Sequence, residues 1–117
     1  MRMWMVDPKI LCKKHLLGEH SEIHKHRHNF VKGHSVAGRI SPIVQVEPSS
    51  TGSRHDELAE EMLRRGYNHK SPFEQPDISH YNDNVINVKV NLDVSIADLC
   101  ARCEDCRERH DKSQVRK

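Results

Sequence analysis

The stretch Lys9–His28, KILCKKHLLGEHSEIHKHRH, decides how the rest of the chain is read. Just ahead of it, Asp7-Pro8 has the form of an N-cap followed by proline at the first helical position, where the missing N–H costs nothing. Ile10, Leu11, Leu17 and Ile23 then fit one helix from Lys9 to about His28. Gly18 weakens that helix by about 1 kcal/mol relative to alanine. The helix would align His15, Glu19, Glu22 and His26 in one row and His20, His24 and His28 in a second. Carboxylates and imidazoles in a row bind divalent metals or move protons. A solvated polar face has the same composition, and for an isolated row it is the better reading. No H-E-x-x-H motif is present.

Working outward, Met1–Val6 is a short apolar start that holds the only tryptophan, Trp4. Val31–Pro48, with Gly33, Gly38, Pro42 and Pro48, reads as loop with a short extended piece. Ser53-x-x-Asp56 has a capping-box pattern. Leu58, Ala59, Met62 and Leu63 then form one apolar face of a second helix, and Gly66 stands where a left-handed residue would end it. His69–Asn84 is polar, contains Pro72 and Pro76, and reads as a surface crossing. Ile86, Val88, Val90, Leu92 and Val94 alternate with polar residues as in a strand. A lone strand has no partner here, so an extended segment lying on helices fits equally. Ser95-x-x-Asp98 opens a third helix with Ile96, Leu99, Cys100, Cys103 and Cys106 on one side. The tail 111–117 is expected to fray. The expected fold is mainly α: a compact single-layer three-helix domain over residues 1–117 with long loops and at most one short extended strand segment.

The composition agrees with a thin core. Of 117 residues, 35% are hydrophobic and 4% aromatic, and mean hydropathy is −0.81. No run approaches the ~18 apolar residues of a membrane span, and the start lacks the apolar core of a signal peptide. A cytoplasmic setting (the host's, if the chain is phage-encoded) is therefore expected, with no membrane partner. Net charge is +2, but residues 1–39 carry eight Lys/Arg against three Asp/Glu, and residues 40–98 carry five against ten. A basic opening third points to a polyanion-facing side.

Several short stretches resemble one family in the same order along most of the chain. Lys14-His15-Leu16-Leu17-Gly18-Glu19-His20-Ser21-Glu22-Ile23 looks like the first helix of the phage pyrimidine-dimer DNA glycosylases of the endonuclease V type. Ile40-Ser41-Pro42, the segment Arg54–Asn68 and Ser95-Ile96-Ala97 with Arg102 echo later parts of it. The resemblance implies a DNA glycosylase with AP-lyase activity. The α-amine of the first residue would attack the sugar C1′ of a damaged nucleotide, expel the base through an imine, and cleave the strand by β-elimination. An α-amine titrates near 7.7–8.0 and a lysine near 10.4, so roughly a tenth of the former is neutral at pH 7, a few hundred times the lysine fraction. Only the neutral amine is nucleophilic.

The family exposes its nucleophile by trimming the initiator methionine, and here the matching position is Met1 itself. Arg2 is too bulky for that trimming, so Met1 is expected to keep a free amine. Glu22 falls on the family's catalytic carboxylate, where an anion stabilises the cationic sugar and assists proton transfers. Arg2, His15, Lys25 and Arg102 fall on basic or polar positions near the DNA, where phosphate contacts orient the strand. His34 also has a counterpart. Ser21 stands where the family carries a substrate-holding arginine, and the aromatic-rich tail is missing. The expected partner is double-stranded DNA with a damaged or modified base, bound by a monomer, with no cofactor required for catalysis.

Cys100-x-x-Cys103-x-x-Cys106 followed by His110 has the spacing of metal ligands. Cys103, Cys106 and His110, with Cys100 or the distant Cys12, would supply a structural zinc bracing the last helix. Free cysteines on an apolar helix face are the competing reading. Two other functions share the sequence: a non-catalytic, zinc-braced nucleic-acid-binding module, and a metal nuclease built on His15, Glu19, Glu22 and His26.

Overall fold

The computed structural model describes residues 3–41, 43–69 and 72–114. Met1, Arg2 and residues 115–117 lie outside the described residues. Among the described residues six α-helices run in order: α1 (Lys13–Val31), α2 (Ala37–Ile40), α3 (Thr51–Arg64), α4 (Asp83–Ile86), α5 (Leu92–Arg102) and α6 (Glu104–Gln114), with 3-10 turns at Pro8–Ile10 and Pro48–Ser50. The fold is mainly α, as the sequence predicts, and no strand occurs among the described residues. No helix there is long and apolar enough to cross a membrane.

The opening segment is the spine. Met3, Trp4, Val6, Ile10 and Leu11 are buried, and they pack with Leu16 and Ile23 of α1, Leu58 and Met62 of α3, and Leu99 and Cys106 of the α5–α6 pair. The Met3 amide donates to the Gln45 carbonyl at 2.7 Å, so the extended piece expected before Pro48 runs beside this spine. Met5 has φ 60°, an unusual value for a side-chain-bearing residue. The flanking carbonyls are both used: Trp4 accepts from the Ser95 hydroxyl at 2.6 Å and Val6 accepts from Arg54 at 2.7 Å.

Several boundaries differ from the sequence reading, each for a visible reason. Asp7 does cap, accepting from the Lys9 amide at 3.0 Å, but it closes only the 3-10 turn. The chain is extended at Cys12, and α1 begins at Lys13 and continues to Val31. Helix α3 starts at Thr51, before the Ser53 box. Its first turn is capped from afar: the Gln75 side-chain oxygen accepts from the Gly52 amide at 2.7 Å and from the Thr51 hydroxyl at 3.0 Å. Gly66, at φ 87°, follows the end of α3 in the expected left-handed conformation.

The alternating stretch from Ile86 to Val94 is not a strand. Asp83–Ile86 forms a helical turn, and the Val90 amide donates to the Glu47 carboxylate at 2.6 Å rather than to a neighbouring strand. Asn91 then caps α5 by accepting from the Val94 amide at 3.1 Å, four residues before the cap expected at Ser95. The expected third helix is two helices. Cys103, at φ −136° and ψ 112°, breaks it between α5 and α6. Residues 111–114, expected to fray, continue α6.

Candidate active site and two ligand clusters

The row His15, Glu19, Glu22, His26 does share one side of α1, but its members have different fates. Glu19 turns inward to Arg54 of α3, which donates to it through Nε at 2.6 Å and Nη2 at 2.9 Å. Arg54 Nη1 also donates to Glu57 at 2.7 Å. Both side chains of the Glu19–Arg54 pair are fully enclosed. Burial opposes the charge on Arg54, but Glu19 and Glu57 outweigh it and hold the guanidinium pKa above its ordinary value. Glu19 is thus a structural ion-pair partner rather than a ligand or proton carrier.

Glu22 stays half-exposed, with its carboxylate 3.1 Å from His26 Nε2. It lines a shallow cleft of about 210 Å³ with Trp4, Lys14, His15, Gly18 and Glu19. Burial lowers the His26 pKa, partly offset by Glu22. For the neutral ring, the tautomer that satisfies both contacts carries its proton on Nε2. His26 Nε2–H donates to Glu22, while Nδ1 accepts from the Asn29 amide at 2.8 Å. Asn29 Oδ1 in turn accepts from His34 Nδ1 at 3.1 Å. The chain Glu22–His26–Asn29–His34 orients the carboxylate at the mouth of the cleft.

The other expected site residues are scattered. Lys25 is exposed on α1. Arg102, at the end of α5, is ion-paired with Asp98 at 3.2 Å. His15 lines the cleft, but its Nδ1 points into a cluster of sulfurs, 3.2 Å from Cys12 Sγ and 3.5 Å from Cys106 Sγ. Cys12 Sγ lies 3.8 Å from Cys103 Sγ. Ligand atoms of Cys12, His15, Cys103 and Cys106 all fall within 4.8 Å of one another. The break at Cys103 makes this geometry. It takes Cys103 and Cys106 off a common face with Cys100, which stays on α5 outside the group, and His110 instead lies beside Asp111.

A second group escaped the sequence reading. His20 and His24 of α1, His55 of α3 and His69 beyond it also bring ligand atoms within 4.8 Å of one another. His20 and His69 approach at 2.9 Å through their Nε2 atoms. Burial first, and then the neighbouring imidazoles, push the His20 pKa down to about 4, so the ring is neutral at pH 7. Phe73 stacks on His55 with centroids 5.0 Å apart. The i, i+4 pair on α1 was visible in the sequence; nothing there marked His55 and His69 as its neighbours.

A family model described as pyrimidine dimer DNA glycosylase matches residues 1–75. The chain belongs to this family. The glycosylase match takes in Glu22, the cleft and all four clustered histidines, and it ends ahead of α4, α5 and α6. Cys12 and His15 therefore lie inside the glycosylase match, while Cys103 and Cys106 lie outside it. No curated protein and no solved structure matches the chain.

Proposed function

We propose that the chain is a DNA glycosylase with AP-lyase activity that acts, as a monomer, on damaged or modified bases in double-stranded DNA. In this reading the neutral α-amine of Met1 attacks C1′. The C1′–N bond breaks, and the base leaves with the bonding pair and takes up a proton. The attacking nitrogen loses a proton, and its lone pair then breaks the C1′–O4′ bond, with O4′ taking up a proton, to leave a protonated imine on the opened sugar. That imine acidifies the C2′ hydrogen; loss of this proton expels the 3′ phosphate oxygen and cuts the strand.

The observation that carries the reading is the coincidence of the family match with Glu22 opening onto a cleft. A carboxylate held there by His26 stabilises positive charge on the sugar and relays protons. Lys14 in the cleft and Lys25 on the same helix offer phosphate contacts, with Arg2 and Arg102 as further candidates. Extruding the target nucleotide costs a few kcal/mol and is easiest at a damaged site. No metal touches the reacting atoms in this scheme. A metal nuclease on the His15–Glu19–Glu22–His26 row is disfavoured because Arg54 occupies Glu19 and the sulfur cluster occupies His15.

The test is borohydride trapping on a duplex with an abasic site. A covalent adduct mapping to Met1 is expected, and an adduct on an internal lysine or none at all would overturn the mechanism. Glu22→Gln is expected to slow cleavage by about 10²- to 10⁴-fold while leaving duplex binding largely intact. Full activity in that variant would remove Glu22 from its role. Binding without cleavage by the unaltered protein would favour the non-catalytic binding module.

A further inference from the structure

The two ligand clusters take no part in the proposed chemistry. Zinc binds thiolate sulfur at about 2.3 Å and imidazole nitrogen at about 2.0–2.1 Å, so a tetrahedral site has edges of about 3.8 Å between sulfurs and about 3.5 Å between sulfur and nitrogen. The observed separations are 3.8 Å from Cys12 to Cys103, 3.5 Å from Cys106 to His15 and a tighter 3.2 Å from Cys12 to His15. The Cys12 amide donates to Cys106 Sγ at 3.3 Å and the Cys106 amide donates to Cys103 Sγ at 3.5 Å. Such outer-shell donors stabilise metal-bound thiolates. We propose that Cys12, His15, Cys103 and Cys106 bind one structural zinc ion.

Soft sulfur donors select zinc over magnesium or calcium. On binding, three S–H protons pass to solvent while three Zn–S bonds and one Zn–N bond form, with no change of oxidation state. The ion would pin the α5–α6 pair, which lies outside the family match, to the opening segment. It would also fix His15 at the wall of the cleft that holds Glu22.

A separate observation carries a second site. In the four-histidine group, His55 Nδ1 is 3.1 Å from the Asp56 carboxylate. That contact makes Nδ1 the N–H of a neutral ring and leaves Nε2 as the lone-pair nitrogen, the arrangement of a carboxylate–histidine–metal triad. His20 and His69 meet nitrogen to nitrogen at 2.9 Å. The structure assigns to His20, His24, His55 and His69 a second, all-imidazole zinc site that clamps α1, α3 and the segment after α3. Neither site depends on the glycosylase reading.

The test is metal content of the full chain purified without metal-affinity steps and then equilibrated with zinc alone. Two zinc ions per chain are expected. A mercurial thiol reagent should release one and leave the other bound, a measurement that needs no variant. Cys103→Ser and His69→Ala should each lower the content to one, and Cys103→His should restore the second ion. Cobalt loading should give an intense sulfur-to-cobalt absorption that Cys103→Ser removes and His69→Ala retains. Fully reduced thiols without thiol-released zinc, or a Cys12–Cys103 disulfide, would overturn the first site. Unchanged zinc content in His69→Ala would overturn the second.

Discussion

Arg54 and Glu19 show how much a single residue decides in this chain. Two enclosed charges meet in a bidentate pair, and the arginine's remaining donor is spent on the Val6 carbonyl and Glu57. Removing one partner strands the other in an enclosed site. Arg54→Met is therefore expected to destabilise the protein by about 3–5 kcal/mol in urea unfolding. Adding Glu19→Leu should recover a large part of that loss, because the double variant buries no lone charge. Glu19 and Glu22 lie three residues apart with similar local sequence, yet one is walled in and the other opens onto a cleft. Only the position of Arg54 across the helix pair separates them.

Among the elements, α3 is tied at both ends by residues outside its own pattern. Gln75 caps its start. At its end Glu61 accepts from Arg64 Nε and Arg65 Nε, each at 2.7 Å, and Arg65 also donates to the Leu11 carbonyl at 2.7 Å. The hydrogen bond from Arg64 is the leading cause that lowers the Glu61 pKa from 4.5 to about 2; burial opposes it and Arg65 adds to it. A depressed folded-state pKa stabilises the fold above the unfolded value and loses that effect as pH falls through the folded one. The melting-temperature gap between the unaltered protein and Glu61→Gln should thus be full above pH 4.5 and shrink toward pH 2. A gap that widens on acidification would contradict the pairing. The apolar face Leu58, Ala59, Met62 and the Gly66 stop of this helix were legible in sequence, because both depend on spacing within a few residues; Leu63, read as part of that face, is exposed instead. Its first residue was not, since the capping oxygen comes from Gln75.

For the whole molecule, a thin core has been wrapped around the opening segment, so distant elements depend on one another. Leu99, fully buried on α5, shares one apolar cluster with Met3, Trp4 and Leu58. Leu99→Ala is expected to cost about 2–5 kcal/mol in thermal or urea unfolding. That is a large share of the roughly 5–15 kcal/mol that holds a domain together. A cost near zero would mean that α5 and α6 fold apart from the rest. The alternation from Ile86 to Val94 misled for the same reason of scale. Period-two hydrophobicity needs a partner strand to become a ladder, and the tertiary structure supplies Glu47 to the Val90 amide instead.

The sequence by itself determined the mainly helical class, the α3 face, the glycine stop after α3, and the stretch whose likeness marks the family. These follow from residues within about one or two helical turns, where backbone geometry alone fixes who faces whom. Which donors converge was decided only by the path of the chain. Cys12 and Cys103 are 91 residues apart, His20 and His69 are 49 apart, and the break at Cys103 excluded Cys100 and His110 from the set their spacing had suggested. Ligand spacing within one segment limits which atoms can meet, but the packing of the opening segment between the α1–α3 pair and the α5–α6 pair brings them together.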